Sequence, residues 1–428
     1  MTRAKRKPAM TILLTVVVTV AVTLIALNFV TGEKKIDKRL QSLYAVSDPQ
    51  FLRSMRSLLG PALRDGNRVT GLSNGDEIFP QMLGAIRSAQ KTITFETYIY
   101  WSGSIGREFA EALSERARGS VKVHVLLDWV GSASMEGDIL KAMEASGVEV
   151  KKYHPLRWYN LARMNNRTHR KLLVVDGAIG FTGGVGIADQ WLGHAQDEEH
   201  WRDSHYRLEG PAVAQLQAAF MDNWMKASGE VLHGEEYFPK ETAPGEALAQ
   251  VFKSSPGEGS ESVRLMYLLS IASARRHLRI AAAYFVPDDL SLETLVAARQ
   301  RGVTIEVLLP GMKSDTKITR KASRSRWGDL LRAGVLIYEY QPTMFHCKIM
   351  IVDDVWVSVG STNFDSRSFR LNDEANLNVF DRDFAHTQIQ AFDDDKRKST
   401  RVSLEAWQSR PWTEKVTEHA AGLLRSQL

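Results

Sequence analysis

Two short segments of the chain carry the same pattern of reactive side chains. Each reads His-x-Lys-x4-Asp and is followed, after six residues, by a pair of small residues. Side chains alternate between the two faces of a strand, so the histidine and lysine of each segment point to the same side. The two sets are His169, Lys171, Asp176, Gly183 and Gly184, and then His346, Lys348, Asp353, Gly360 and Ser361.

These residue types suit cleavage of a phosphodiester. Because that group is anionic, a site that cleaves it needs cations for the phosphate oxygens, a nucleophile, and an acid for the leaving alkoxide. Two lysines can supply the charge, and two imidazoles the other roles. We assign attack on phosphorus to His169 and proton transfer to His346, and the near-symmetry of the segments leaves the reverse open. No metal or cofactor is expected, since no cluster of metal-ligating side chains is visible in the sequence.

Further residues are predicted to support the two histidines. A catalytic imidazole needs its second ring nitrogen held, and Asp203 and Glu374 begin alternating segments at matching places after the two motifs. We therefore predict that they orient the histidines. Asn363 is expected to donate a hydrogen bond to a phosphate oxygen, although Gly186 stands at the matching place in the first segment.

The small pairs and the motif aspartates complete the predicted site. Gly184 and Ser361 are expected to let the backbone approach a phosphate oxygen. Asp176 and Asp353 are counted with the catalytic motif, but they end apolar strands, so their role is expected to be indirect.

The surrounding sequence also repeats. VKVHVLLD (121–128) resembles VTIEVLLP (303–310), and alternating strand and helix patterns surround both. This predicts an α/β fold of two homologous halves, each a mixed, mostly parallel sheet flanked by helices, with one shared active site. The first half has an aromatic and basic insertion around 156–165, which is either a surface loop or a lip over the site.

The N-terminal region contains an uncharged apolar segment. Residues Met10 to Val30 number 21 and would span about 30 Å as a helix, enough to cross a bilayer. We predict a retained transmembrane helix; a cleaved secretory signal is the alternative, with a poor cleavage site. Basic residues flank both ends, and we favour a cytoplasmic N-terminus and an exported catalytic region.

These features give predicted boundaries for the whole chain. The predicted segments are an anchor (10–30), a helical lead-in (36–75), a first half (76–229), a linker (230–260), a second half (261–400) and a helical tail (401–428).

The net charge of +5 suits an anionic partner, whether nucleic acid, phospholipid or a phosphorylated substrate. The single cysteine, Cys347, excludes an intramolecular disulfide.

With its duplicated motif, the chain resembles the phospholipase D superfamily, and within it the bacterial cardiolipin synthases. The resemblance covers roughly 74–379 and extends to FETYIY (95–100), WRDSHYRLEGPAV (201–213), YFVPDD (284–289), YEYQP (338–342) and GSTNFDSRSF (360–369). It implies metal-free transfer of a phosphatidyl group between phosphatidylglycerol molecules, with release of glycerol. The implied partners are anionic phospholipids, namely phosphatidylglycerol and cardiolipin, and the implied location is the bacterial inner membrane.

Three other functions remain open at this stage. A hydrolytic phospholipase D would pass the phosphatidyl group to water. A nucleic-acid phosphodiesterase would use the same motif, but the apolar segment and the lipid-synthase-like sequences argue against nucleic acid as partner. A non-catalytic scaffold would not need both motifs intact.

Overall fold

The computed structural model describes residues 6–27, 36–155, 165–256 and 262–428. The N-terminal elements are α1 (Arg6–Leu27) and α2 (Pro49–Leu58). The first half contains β1 (Arg64–Ser73), α3 (Asn74–Ser88), β2 (Thr92–Thr97), α4 (Ser104–Arg118), β3 (Lys122–Asp128), α5 (Gly137–Ala145), β4 (Glu149–Tyr153), β5 (Arg167–Thr168), β6 (Leu172–Val175), β7 (Ile179–Gly183), β8 (Ser204–Glu209) and α6 (Val213–Ser228).

The second half follows in the same order. It contains β9 (Ala247–Ser254), α7 (Ser262–Ser273), β10 (His277–Ala282), β11 (Phe285–Val286), α8 (Asp289–Gln300), β12 (Thr304–Pro310), α9 (Lys317–Ala333), β13 (Leu336–Tyr340), β14 (Lys348–Val352), β15 (Trp356–Gly360), β16 (Phe364–Asp365), α10 (Ser366–Arg370), β17 (Asn372–Phe380) and α11 (Arg382–Arg397). The tail consists of β18 (Ser399–Val402), α12 (Leu404–Gln408) and α13 (Trp412–Gly422).

One large sheet runs through both halves. In the described chain it has 16 strands, and its path is β18-β13-β12-β10-β14-β15-β17-β9-β1-β8-β7-β6-β2-β3-β4, with β5 paired to β17. Outwards from β1, the first half has the strands β8, β7, β6, β2, β3 and β4. Outwards from β9, the second half has the equivalent strands β17, β15, β14, β10, β12 and β13. The two halves meet where β1 and β9 pair antiparallel. The mirrored order brings equivalent segments together near the middle of the sheet.

The predicted mixed α/β sheet is confirmed, but its mostly parallel character is wrong. Parallel pairing within this sheet is confined to β2-β3-β4 in one half, β10-β12-β13 in the other, and the two-residue strand β5 against β17. The inner strands are antiparallel because tight hairpins join β6 to β7 and β14 to β15. Each connection has three residues, and its first two, Asp176-Gly177 or Asp353-Asp354, have positive φ.

Two predicted segment boundaries need correction. The lead-in (36–75) is only partly helical, since β1 lies at the centre of the sheet. Its sequence RDGNRVTGLS lacks the apolar alternation that signals a strand. The predicted linker (230–260) likewise contains β9, which pairs with β17 and β1. Residues 257–260 of that linker, and 156–164 of the predicted insertion, lie outside the described residues.

The predicted transmembrane anchor is not supported. Helix α1 covers most of the segment 10–30, whose last three residues lie outside the described part of the chain. Among the residues that the structure describes, no helix meets the length and apolarity needed to cross a membrane.

The lead-in packs against the second half. Phe51 and Met55 of α2 are fully buried in an apolar cluster with residues of α7, β10, β12 and β14. The Phe51 ring meets Trp356 edge-on, with ring centroids 5.1 Å apart. The residues that precede the first half in the sequence therefore pack against the second half.

Candidate active site

The two motif segments meet at the boundary between the halves. Strand β5, just before His169, pairs parallel with the start of β17, and the His169 amide donates to the Asp373 carbonyl at 2.9 Å. The arrangement repeats on the other side, where the His346 amide donates to the Arg202 carbonyl at 2.8 Å. Each histidine thus lies beside an extended segment from the opposite half.

This pairing joins each histidine to a carboxylate of the other half. His169 Nδ1 lies 3.0 Å from both carboxylate oxygens of Glu374. His346 Nδ1 lies 2.7 Å from Asp203 Oδ2. All four side chains are buried. Because each Nδ1 is engaged by a carboxylate, Nε2 is the ring nitrogen available for chemistry, and in His346 it lies 3.2 Å from Lys348 Nζ.

Neighbouring donors hold the two carboxylates differently. Ser361 Oγ donates to Glu374 Oε2 at 2.5 Å, and Trp191 Nε1 donates to Asp203 Oδ2 at 2.9 Å. Burial alone would raise the pKa of Glu374, but the His169 imidazole lowers it below its ordinary value. The His346 imidazole likewise outweighs burial and lowers the pKa of Asp203. Both carboxylates are therefore ionised at neutral pH.

The two lysines share one buried region. Lys171 Nζ donates to the His169 carbonyl at 2.7 Å, and Lys348 Nζ donates to the His346 carbonyl at 2.5 Å. Burial lowers the pKa of Lys171 to about 7, and the charge on Lys348 acts in the same direction. Burial also lowers the pKa of Lys348. An anion bound between the lysines would relieve their repulsion and favour full protonation of both.

The histidines are neutral at physiological pH. Burial lowers the pKa of His169 to about 4, against the opposing effect of Glu374. Burial and then the charge on Lys348 lower the pKa of His346. A neutral imidazole is the form that can attack phosphorus. The partner imidazole can gain a proton once an anionic phosphate lies beside it.

Asp176 and Asp353, which are counted with the catalytic motif but expected to act indirectly, lie outside this region. Each follows an apolar strand, β6 or β14, whose length of about 13 Å or more separates it from its lysine. Both carboxylates instead receive three backbone N–H groups at the start of a neighbouring strand. The donors are Gln90, Lys91 and Thr92 for Asp176, and Arg275, Arg276 and His277 for Asp353.

The predicted phosphate contacts of the small residues are also revised. A Cβ added at Gly184 would lie 2.2 Å from Asp203 Oδ1, so the glycine makes room for that carboxylate. Ser361, at the matching position, donates to Glu374. Both residues position the carboxylates that hold the histidines. Asn363 is buried, and its Oδ1 has no hydrogen-bond partner in the described residues.

Aromatic side chains surround both histidines. The Tyr98 ring lies 5.3 Å from His169. Around His346, ring centroids lie at 5.6 Å for Trp191, 5.5 Å for Trp201 and 6.3 Å for Tyr284. The sequence offered one signal for this wall, because Tyr98 and Tyr284 occupy matching places in the repeat. The two tryptophans have no such counterpart.

Arg170, between His169 and Lys171, was not identified from the sequence. It points away from the site, is fully buried, and joins both halves beneath the His169–Glu374 pair. It donates to the Ala219 carbonyl at 2.7 Å on α6, the Ser254 carbonyl at 3.0 Å on β9 and the Glu374 carbonyl at 3.3 Å on β17. It also pairs with Asp222 at 3.2 Å. Cys347 takes the matching place in the second motif.

We expect Arg170→Gln to destabilise the protein by about 3–5 kcal/mol, since it removes the cation that lies 3.8 Å from the buried carboxylate of Asp373. Cys347→Ser, at the matching position, is the control and should cost less than about 2 kcal/mol while keeping activity. Chemical denaturation followed by fluorescence would measure both. Equal stability of the two variants would contradict the role of Arg170 in joining the halves.

Comparison with known proteins identifies the family. The family model described as cardiolipin synthase, PLD-like domain, matches twice, over residues 82–224 and 267–396. The chain belongs to this family. Cardiolipin synthase 1 of Bacillus anthracis is 36% identical over 369 residues, which cover 84% of this chain and 72% of that synthase. The cardiolipin synthase of Geobacillus kaustophilus is 35% identical over 356 residues, covering 82% and 71%.

The fold also matches a solved structure. Phosphatidylserine synthase of Haemophilus influenzae superposes with a TM-score of 0.65 at 13% identity, covering 89% of this chain and all of that chain. At this identity the match speaks for the fold alone. The two family-model matches fall one in each half of the sheet, as the mirrored strand order predicts.

Proposed function

We propose that this protein is a phosphatidyltransferase that joins two phosphatidylglycerol molecules into cardiolipin and releases glycerol. The observation that carries the proposal is the pair of buried histidine–carboxylate dyads, His169–Glu374 and His346–Asp203, with two lysines between them. Identity of 35–36% to cardiolipin synthases supports the choice of substrate.

In the first step, Nε2 of one histidine attacks the donor phosphorus. A nitrogen–phosphorus bond forms, the bond from phosphorus to the glycerol oxygen breaks, and the second imidazole gives its proton to that oxygen. Lys171 and Lys348 hold the non-bridging oxygens, where negative charge is concentrated in the transition state. The buried amide of Asn363 supplies a further contact to phosphate.

In the second step, the second imidazole takes the proton from the hydroxyl of another phosphatidylglycerol. The alcohol oxygen attacks phosphorus, the nitrogen–phosphorus bond breaks, and cardiolipin leaves. Glu374 and Asp203 fix each ring through Nδ1 and stabilise its protonated form. Because the two dyads are so alike, either histidine can be the nucleophile.

Substrate chemistry also argues for association with a membrane. Phospholipids lie in bilayers, and α1 exposes a run of apolar side chains; Met10 is 70% and Ile12 65% exposed. We propose that this surface contacts lipid. Flotation of the protein with phosphatidylglycerol vesicles should carry it upwards, and Ile12→Asp with Val16→Asp should weaken that flotation.

The proposal is tested by the products. Detergent-solubilised protein given phosphatidylglycerol should release glycerol in step with cardiolipin and form little phosphatidic acid. The reason is that a second lipid at the same surface has a high effective concentration compared with its bulk value. Phosphatidic acid as the main product would favour the hydrolytic phospholipase D, and cleavage of nucleic acid with no lipid product would overturn both.

The same assay can test for a metal. We expect full activity in the presence of a chelator, because the lysines provide the positive charge at the phosphate. Activity that is lost in chelator and restored by a divalent ion would contradict this.

A further inference from the structure

Two arginines that do not belong to the histidine–lysine motifs, Arg167 and Arg367, line the side of the site next to His169. Arg167 is on β5, two residues before His169. Thr168 and Arg170 both bond to α6, Thr168 through Asn223 and Arg170 through Ala219 and Asp222. Neighbouring residues of an extended chain point to opposite sides, so residues two apart point to the same side. Arg167 therefore points to the same side as His169 and Lys171.

Arg367 on α10 reaches the same wall from the second half. Its Nη2 donates to both the carbonyl and the side-chain oxygen of Asn165 at 3.0 Å, and its Nη1 donates to the Gln427 carbonyl at 3.1 Å. Asn165 is two residues before Arg167. The guanidinium group of Arg367 therefore lies along the segment that leads into the first motif.

The charge on Arg367 is not neutralised by a carboxylate contact. Within the described residues, the guanidinium group makes three hydrogen bonds, all to uncharged oxygens. A guanidinium group has five N–H donors, so two remain available. The buried Asp128 nearby accepts hydrogen bonds from the backbone amides of Val130, Gly131 and Thr168. The charge on Arg167 lowers the pKa of Asp128, and the charge on Asp128 opposes the lowering of the Arg367 pKa.

The two arginines also act on each other and on the ring next to His169. Burial lowers the pKa of Arg367, and the charge on Arg167 lowers it further. Burial raises the pKa of Tyr98, while both arginines oppose that rise. Two like charges on one wall repel, and an anion between them would remove that repulsion.

The matching wall beside His346 has different chemistry. Met344 occupies the place of Arg167 and is buried, and Trp191 and Trp201 lie around the ring. The site is therefore cationic on one side and apolar and aromatic on the other. This asymmetry favours one orientation for a substrate that carries a second anionic group.

We propose that Arg167 and Arg367 form a second phosphate subsite, which holds the phosphate of the acceptor lipid. This inference rests on the proposed function. The reaction joins two phosphates through one glycerol, so the acceptor phosphate must lie one glycerol length from the reacting phosphorus. Residues two apart on an extended strand are about 7 Å apart, which suits that separation. Arginine is well matched to phosphate because its planar donors bind two oxygens at once.

Soluble acceptors test this subsite without a membrane surface. With phosphatidylglycerol as donor, the protein should transfer the phosphatidyl group to glycerol phosphate at least about 10-fold more efficiently, in kcat/KM, than to labelled glycerol. Arg167→Gln and Arg367→Gln should reduce this preference to within about 2-fold and leave transfer to glycerol unchanged. Arg367→Lys should keep part of the preference because it keeps the charge.

Transfer to glycerol reports whether each variant is folded and active. Arg332→Gln, an exposed arginine of α9 paired with Asp329, is the matched control and should keep the full preference. Three outcomes would overturn the subsite alone. The unaltered protein could use the two acceptors with equal kcat/KM, the arginine variants could lose kcat/KM equally for both acceptors, or the variants could keep the preference for glycerol phosphate. No transfer to either acceptor by the unaltered protein would overturn the proposed function, and the subsite with it.

Discussion

His169→Ala and His346→Ala should each reduce phosphatidyl transfer by about 10⁴-fold or more, because nucleophile and acid–base partner act as a unit. Removal of the nucleophile prevents formation of the covalent intermediate. Removal of the partner leaves the glycerol alkoxide without a proton, and an unprotonated alkoxide is a poor leaving group. Cardiolipin formed per minute from phosphatidylglycerol, measured by lipid mass spectrometry, gives the loss for each variant.

The matched control for both variants is His124→Gln. His124 is also buried but lies in β3, where Nε2 meets the Tyr237 hydroxyl at 2.9 Å. It should keep activity within a few-fold of the unaltered protein. Substantial transfer by either alanine variant would mean that a single imidazole suffices, and the two-histidine mechanism would be wrong.

Glu374→Gln and Asp203→Asn should each lower kcat by about 10²- to 10⁴-fold, because an amide cannot stabilise the protonated ring or fix its tautomer as a carboxylate does. The dyads cross the boundary between halves, so Glu374→Gln acts on His169 and Asp203→Asn acts on His346. Ser361→Ala removes only one hydrogen bond to Glu374 and should have a smaller effect.

The pH dependence of kcat then separates the two histidines. The nucleophile must be unprotonated, so its pKa gives the acid limb of the profile, while the acid must be protonated and gives the alkaline limb. Glu374 raises the pKa of His169 against the effect of burial, so Glu374→Gln lowers it. The acid limb should move to lower pH if His169 is the nucleophile, and the alkaline limb should do so if it is the acid.

Asp203→Asn should move the opposite limb to lower pH, since Asp203 raises the pKa of His346. Lys226→Gln is the control, because it removes an exposed cation that pairs with Asp222. It should leave the acid limb and the alkaline limb of the kcat profile unchanged. If both dyad variants moved the same limb, the two histidines would not have separate roles.

Much of the reactive centre follows from residue spacing. Strand alternation determines that His169 and Lys171 face one side, as do His346 and Lys348, and that Arg170 and Cys347 face the other. Matching positions in the repeat also singled out Asp203 and Glu374 as partners for the histidines. The first conclusion needs only the local geometry of an extended chain, and the second needs only the comparison of the two repeats.

Residue spacing does not determine what the side chains at matching positions of the repeat contact. Gly184 and Ser361 are predicted to let the backbone approach a phosphate oxygen, but Gly184 makes room for the Asp203 carboxylate and Ser361 donates to Glu374. A repeat in the sequence reports that two positions are equivalent. It does not report whether they face a ligand or a neighbouring side chain.

The assignment of each carboxylate to the histidine of the other half was decided by the tertiary structure. It depends on β5 pairing with β17 and on the equivalent bridge between Arg202 and Phe345, contacts between segments far apart in the chain. The central strands β1 and β9 were missed for the same reason. The polar sequence of β1 carries little strand signal, and the more apolar β9 lies in a segment that was predicted to be a linker. Both are strands because each has a paired neighbour on both sides. Backbone hydrogen bonds with distant partners stabilise them, and local sequence contains no information on those partners.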